Sequence, residues 1–293
     1  MAEDRAWPDL PLLAWRETCD TLHMFAQVVG KVRLALAYPE PEWAHVALYV
    51  TPRGLTTGPI PFADRAFQID FDFDAHRLRV GTSDAETREI ALAGTSVSEF
   101  YRELMAVLKS LHIDVRIWPM PVEIPSPVRF SDDTAHASYD AEYVGRFKHV
   151  LLHVDAALRE HRAPFRRRHT PVQFFWGSFD LAYARFSGRP ATPPSNDIIM
   201  KNAMDAEEIC AGFWPGDDRF KEPAFWCYAY PRPAGIEDVD LHVPGARWDS
   251  QMGEFILPYE AVRTAKSPRE VLRQFFGSAY ASCSSLAKWD DIT

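Results

Sequence analysis

The chain has 293 residues, 47% hydrophobic and 25% charged, the balance of an ordinary globular protein with one large domain or two small ones. That balance excludes a disordered, collagenous or coiled-coil main state. With 32 Lys and Arg against 41 Asp and Glu the net charge is −9, which gives no global attraction to a phosphate backbone and excludes nucleic acid as an expected partner.

The first 15 residues are acidic and lack the basic and apolar regions of a secretory signal. Cys19, Cys210, Cys227 and Cys283 are scattered without a CxxC pair, so they read as buried thiols rather than a zinc or disulfide framework. No apolar run approaches the roughly 20 residues that cross a bilayer. A cytoplasmic protein without a membrane partner is expected.

A first helix is predicted from about Pro11 to Ala37. Leu22, Met24, Phe25, Ala26, Val28, Val29, Val32, Leu34 and Leu36 leave it apolar on nearly every side, so it should be buried. A strand is predicted over Trp43–Thr51, then a turn-rich stretch over Pro52–Pro61. Phe67–Phe73 alternates strictly, as a half-buried strand does. It turns through residues 74–77 into a partner strand ending at Val80. Ser96 and Glu99 form a capping box that opens a helix, and His112–Ile117 closes the first half. Pro119, Pro121, Pro125 and Pro127 then mark an extended crossover.

The order repeats after it. A helix spans about Asp140 to Arg162, and a strand covers Val172–Trp176 and continues irregularly to Arg185. A long loop covers 187–223, strands cover Ala224–Tyr230 and Glu254–Leu257, and Ser267, Pro268 and Glu270 open a last helix with a second capping box. The predicted fold class is α/β of the α+β type: two diverged α-β-β-β-α halves with mainly antiparallel sheets, related by a pseudo-twofold duplication. Residues 1–118 form one half, 119–139 the crossover and 140–293 the other half. The crevice between the halves is the expected pocket.

On the first helix Asp20, His23, Gln27 and Lys31 recur at three- and four-residue spacing and form one polar stripe. Buried polar groups need partners or a wet cavity. The stripe either lines a pocket, with His23 as base or metal ligand, or is an internal network with Lys31 paired to a carboxylate. His45 shares a strand face with Ala47 and Tyr49 and could meet His23. Glu123 and His136 come from the crossover, so His23, His45, Glu123 and His136 could hold Zn or Fe. Against this, Asp140 or Ser138 could cap a helix there. His149 and His153 are spaced as a metal pair but fall on a solvated face. Asp70, Asp72 and Asp74 are explained by ion pairs to Arg77 and Arg79 across the hairpin.

The second half supplies aromatic walls. Phe174 and Trp176 share one strand face, Trp226, Tyr228 and Tyr230 another, and Trp214 lies in the long loop, a candidate lid. They could stack a ring-bearing ligand, with Asp180, Arg185 or Glu222 fixing its polar groups; helix-on-sheet packing is the alternative. The run 162–169 is locally basic at a helix C-terminus. No P-loop, GxGxxG after a strand or GxSxG elbow occurs, so no nucleotide cofactor is expected.

Eight segments, DTLHMFAQVVGKVRLAL, LYVTPRGLTTGPIP, FQIDFDFDAHRL, DVRIWPMPVEIP, FFWGSFDLAYARFSGR, AGFWPG, EPAFWCYAYPRPAG and GEFILPYEAVR, together resemble an uncharacterised bacterial family, domain of unknown function 5996. The resemblance spans nearly the whole chain and implies a self-contained bacterial protein, but no reaction and no catalytic residues. Gln173 departs from the family pattern, which has His there.

The expectation is an enzyme acting on a small molecule between the halves. His23, Lys31 and His136 would be catalytic. Gln27, Arg53, Trp176, Asp180, Arg185, Trp214, Glu222, Trp226 and Tyr228 would bind substrate. A transition metal on His23, His45, Glu123 and His136 would set oxidative or hydrolytic chemistry. The metal-free version uses His23 as base and Lys31 or Arg53 as electrostatic stabiliser. The alternatives are a non-catalytic binder or sensor, and a scaffold docking through Arg166–Arg168. For assembly, a homodimer is the alternative to a monomer.

Overall fold

The apolar girdle of the first helix does what its composition requires. In the computed structural model α1 (Leu12–Leu36) is buried along most of its length, with Phe25, Val28, Val29 and Val32 fully out of water. Residues 7–289 are described; part of the expectation about a secretory signal rests on residues 1–6, which lie outside the described residues.

The first sheet is antiparallel throughout. It comprises β1 (Tyr49–Thr51), β2 (Gly54–Thr56), β3 (Ile60–Phe62), β4 (Arg65–Asp72), β5 (Arg77–Thr82) and β6 (Thr87–Ala91), in the order β1-β2-β4-β5-β6 with β3 also on β4. The turn-rich stretch thus conceals two strands of three residues each, too short to leave a periodic signal. α2 (Val97–Ser110) follows, with the capping box of Ser96 and Glu99 fully formed.

Residues 111–139 contain one 3-10 turn, Phe130–Asp132, and no ladder. The strand expected over His112–Ile117 is therefore absent. Its alternation of buried and exposed residues comes from an extended segment packed on the core. The strand expected over Trp43–Thr51 is also shorter than predicted. A 3-10 turn at Pro41–Trp43 and a turn after it delay the strand, and His45 never joins it.

α3 (Ala141–Arg162), capped by Asp140, opens the second half. Its sheet comprises β7 (Gln173–Phe175), β8 (Asp180–Pro190), β9 (Ala206–Trp214), β10 (Ala224–Tyr230), β11 (Arg247–Asp249) and β12 (Glu254–Pro258), ordered β11-β12-β10-β9-β8-β7 and again wholly antiparallel. α4 (Ile198–Ala203), α5 (Tyr259–Arg263) and α6 (Pro268–Leu286) complete it. The expected loop over 187–223 is a correction: it holds α4 and all of β9, a central strand. β9 reads Ala-Glu-Glu-Ile-Cys-Ala-Gly-Phe-Trp, buried on both faces, so alternation could not reveal it. Pro268 takes the first turn of α6 as expected, but the Ser267 side chain makes no cap bond: the Glu270 N–H donates to Ser267 O at 3.1 Å instead, and the Glu270 carboxylate is held by Arg273 at 2.5 Å and by Gln274 at 2.9 Å.

The cross-hairpin ion pairs also need correction. Register sets Asp70 opposite Arg79 and Asp72 opposite Arg77, but Asp72 binds Arg53 at 2.7 and 2.9 Å, and Asp74 binds Lys148. Arg79 has a second opposite neighbour, Glu89 on β6, and takes it at 3.0 Å.

Each half is thus a helix, an antiparallel sheet and a helix, although the strand orders differ. The halves join edge to edge. Leu48 and Phe174 exchange both backbone hydrogen bonds at 2.8 Å, and the Trp176 indole N–H donates to Val46 O at 2.9 Å. α1 covers this seam, with Gly30 pressed on the Trp176 ring so closely that a methyl group would overlap it. No helix among the described residues is long and apolar enough to cross a membrane.

Gly30→Ala should therefore destabilise the protein by about 2 kcal/mol, although alanine favours a helix by roughly 1 kcal/mol, because overpacking at a fixed ring outweighs propensity. Urea melts check this; an unchanged or raised midpoint would show that the ring yields.

Candidate functional site

The polar stripe of α1 is a clamp. The Gln27 amide is fully buried and satisfied by one residue: its nitrogen donates to Val122 O at 2.7 Å and its oxygen accepts from Val122 N at 2.9 Å. His23 Nε2 lies 3.0 Å from both Trp176 O and Gly177 O. Carbonyls only accept, so Nε2 carries the hydrogen. Burial pushes the imidazole down to about 4, against the pull of those two carbonyls, so it is neutral at pH 7. The stripe thereby fixes the crossover at Val122 and the β7–β8 turn at Trp176–Gly177 against each other.

Those two segments carry the chemistry. Glu123 follows Val122, and its Oε1 occupies the space where a side chain on Gly177 would be. Asp180 opens β8 three residues later, hydrogen-bonded by Ser178. From there the outer face of the second sheet can be followed strand by strand. Directly opposed residues share a face, so Ala182, Gly212, Trp226 and Ile256 form one row, and Ala184, Cys210 and Tyr228 the next. Asp180, Glu208 and Glu254 lie on the same face. The middle is lined by small residues, and the Trp226 ring lies over Gly212, whose missing Cβ makes room for it. Trp226 and Tyr228 are stacked at 5.6 Å and 13°. Phe220, from the connection between β9 and β10, lies on Trp214 at 5.5 Å, so that stretch of the expected lid does cover this face.

Asp180 and Glu208 are buried, at 8% and 4% exposure, and no Lys or Arg among the described residues pairs with either. Burial pushes Asp180 up to about 7; Ser178 opposes the rise and Glu123 adds to it. Glu208 rises to about 7 by burial, although Cys210 and Tyr228 offer it hydrogen bonds, that from Tyr228 at 3.4 Å. Glu254 rises to about 8 by burial, with Asp180 adding and Arg219 opposing. Glu123 is raised by burial too, against Arg219. Arg219 itself is held by Asp217 at 2.6 Å. Asp180 and Glu254 stand on the same face of the sheet, on strands separated by β9 and β10.

The expected residues divide between three places. Asp180, Trp214, Trp226 and Tyr228 share the outer face of the second sheet, with Glu123 near Asp180 and with His23 and Gln27 bracing the segments that carry these two acids. Lys31 is buried with its ammonium 5.6 Å from the centre of the Trp176 ring and lowered by burial; no carboxylate among the described residues pairs with it. His45 lies on the far side of the seam, its Nδ1 accepting from Glu40 N at 3.1 Å and its ring stacked on Trp43. His136 is bound to Asp133 at 2.7 Å beside the start of α2. Among the described residues no three His, Cys, Asp or Glu side chains are grouped to hold a metal ion, so His23, His45, Glu123 and His136 are not assembled as a centre.

Three expected substrate contacts lie elsewhere. Arg53 is on the surface with Asp72, and Glu222 is exposed. Arg185 points to the opposite face of β8, caged by Phe165, Tyr183 and Tyr280 with Tyr280 at 4.1 Å. Odd and even residues of one strand cannot serve one face, so Asp180 and Arg185 were incompatible as partners. Of the basic run, Arg168 pairs with Glu42. His153 stacks on Trp7 at 5.2 Å. Glu208, Glu254 and Cys210 were missed. Two of them sit in β9, which was read as loop; a strand reading would have placed Glu208 and Cys210 on one face. A groove of about 870 Å³ lies at the start of α1 with residues 138–141, away from this chemistry.

The chain matches the model of a family of unknown function, DUF5996, over residues 7–293, and belongs to that family. No curated protein and no solved structure shows a significant match.

The buried carboxylates set a pH dependence. The unfolded chain releases their protons above about pH 4, while the folded protein keeps them until about 7 to 8. The folded state therefore holds more protons in that window, and stability is lost as pH rises through it. His23 acts in the opposite sense, removing stability as pH falls from about 6.5 towards about 4. Asp180→Asn with Glu254→Gln should therefore raise stability relative to wild type by roughly 2 kcal/mol more at pH 8 than at pH 4.5. Denaturant melts at the two pH values read it, and an equal effect at both would show the carboxylates to be solvated.

Proposed function

We propose that this protein is a small-molecule enzyme that moves protons with carboxylates on the outer face of its second sheet. The observation that carries the reading is the burial of Asp180 and Glu208, with half-buried Glu254 on the same aromatic-lined face, and no ion pair from Lys or Arg to any of the three among the described residues. A fold that needed only stability would not keep them, since apolar replacements of similar shape cost less. Perturbed acids gathered on one face are the arrangement that proton transfer requires.

Near neutrality Asp180, raised by burial to about 7, and Glu254, raised by burial to about 8, hold about one proton between them. The ionised member takes a proton from the substrate, and the protonated member donates one to the oxygen or nitrogen on which charge develops. The acid so formed then delivers its proton to a different atom of the substrate while the other carboxylate takes its proton back, so the product is an isomer, the pair is restored and no electron carrier is needed. Trp226, Tyr228 and Trp214 give a stacking surface. Gln27 and His23 are positioning residues, which hold Glu123 and Asp180 through the backbone. The site is thus shifted from α1, where the sequence pointed, to the sheet that α1 braces. A cytoplasmic location fits four buried free thiols, of which Cys227 and Cys283 touch without bonding.

The test needs no prior substrate. Purified protein is incubated with a small-molecule extract, and mass spectrometry compares wild type with Asp180→Asn/Glu254→Gln. The expected result is a compound consumed by wild type and spared at least 100-fold by the variant, whose circular dichroism is unchanged. Turnover of that compound should rise from pH 6 to 7 and fall above 8, as a shared-proton pair does. A compound retained by both proteins and altered by neither would overturn the enzyme in favour of a binding or sensor protein.

A further inference from the structure

Gln173 is fully buried on β7, and neither its amide nitrogen nor its amide oxygen has a partner. An orphaned buried amide is costly, and the neighbouring backbone cannot relieve it. Gln173 and Phe175 have their peptide groups in the ladder with β8, and Phe174 exchanges its own with Leu48. Register fixes where the side chain goes. Gln173 opposes Ala182, Ala182 opposes Gly212, and Gly212 opposes Trp226, so the four form one row on the outer face of the second sheet. Between the amide and the tryptophan ring, which lies over Gly212, stands the methyl group of Ala182. The row therefore reads as an amide at one end, one small side chain, and a Trp226–Tyr228 stack at the other. Asp180 and Glu254 flank it. An amide presents a donor beside an acceptor, and its complement is another such edge. An anion would meet the flanking acids.

We propose that this row binds a planar, uncharged ring bearing an amide or ureide edge, with Gln173 reading the edge and Trp226 stacking the ring. The inference rests on the enzyme reading above and names the substrate class of the same face. A ligand of this class supplies the two missing hydrogen bonds and leaves the acids free to exchange protons with it. Discrimination of this kind is strong, because a ligand without the edge leaves the buried amide unpaired.

The probe is benzamide, with benzoate and benzylamine as anionic and cationic controls of like shape, followed by calorimetry and tryptophan fluorescence on the full chain. Wild type should bind benzamide and bind each control at least tenfold more weakly. Gln173→Leu should lose at least tenfold in benzamide affinity while its melting temperature holds or rises. If Gln173→Leu does not fold, Ala182→Val crowds the row from the next strand and should show the same loss. Asp180→Asn/Glu254→Gln keeps hydrogen-bonding groups and should keep benzamide affinity within a few-fold. Unchanged benzamide binding in the Gln173 or Ala182 variant overturns the proposal, as does equal binding of either control. Absence of benzamide binding to wild type, with turnover still lost in the carboxylate variant, overturns the ligand class alone. Benzamide binding that depends on Gln173, with turnover intact in the carboxylate variant, supports the ligand class and removes the carboxylates from the reaction.

Discussion

A buried amide must find a donor and an acceptor together, and Gln27 finds both on Val122. Much of the molecule hangs on that requirement. The crossover between the halves has no ladder of its own to locate it, so a side chain on a buried helix does the work of a strand. One turn earlier on the same face, His23 holds the carbonyls of Trp176 and Gly177. Together they set Glu123 beside Asp180, at the point where two sheets meet through a single pair of backbone bonds.

The second sheet serves two purposes with its two faces. The inner face packs Phe213, Phe225, Cys227 and Leu257 into the main core, with Arg185 caged there among aromatic rings. The outer face mixes alanines, glycine and indole rings with acids kept out of water. The first face stabilises the fold and the second weakens it above neutral pH, so the stability given up at the acids is drawn from the packing beneath them. Because β8, β9 and β10 carry both sets of residues alternately, neither face can be altered without shifting the other.

The sequence made the helices legible, because α1, α2 and α3 carry either a full apolar girdle or a formed cap. It also made the β4–β5 hairpin legible by strict alternation. It concealed β9, whose two buried faces erase alternation, and it lengthened the strand before Tyr49 because Val46 and Leu48 are buried without pairing as strand. The stripe of Asp20, His23, Gln27 and Lys31 was visible by spacing, but spacing does not say what a buried polar group binds. His23 and Gln27 bind peptide groups more than 90 residues away. Trp214, Trp226, Tyr228 and Asp180 were found because aromatics and acids are rare enough to notice. Glu208 and Glu254 look like any surface glutamate until the face they share is known.

The single pair of bonds between Leu48 and Phe174 also governs how the molecule meets copies of itself. The bridge from Leu48, just before β1, to β7 covers one open edge of each sheet, leaving β6, β11 and the three-residue β3, which carries Pro61, as the outer strands. β6 is short and presents Arg88 and Glu89 to solvent, while β11 is three residues long. Strands so brief and so charged are poor templates for a further strand. Two six-stranded sheets, each a hazard for fibre growth if left alone, are thereby made into one body with blunted ends. A strand added at β6 or β11 would meet few backbone groups to pair with and charged side chains beside them.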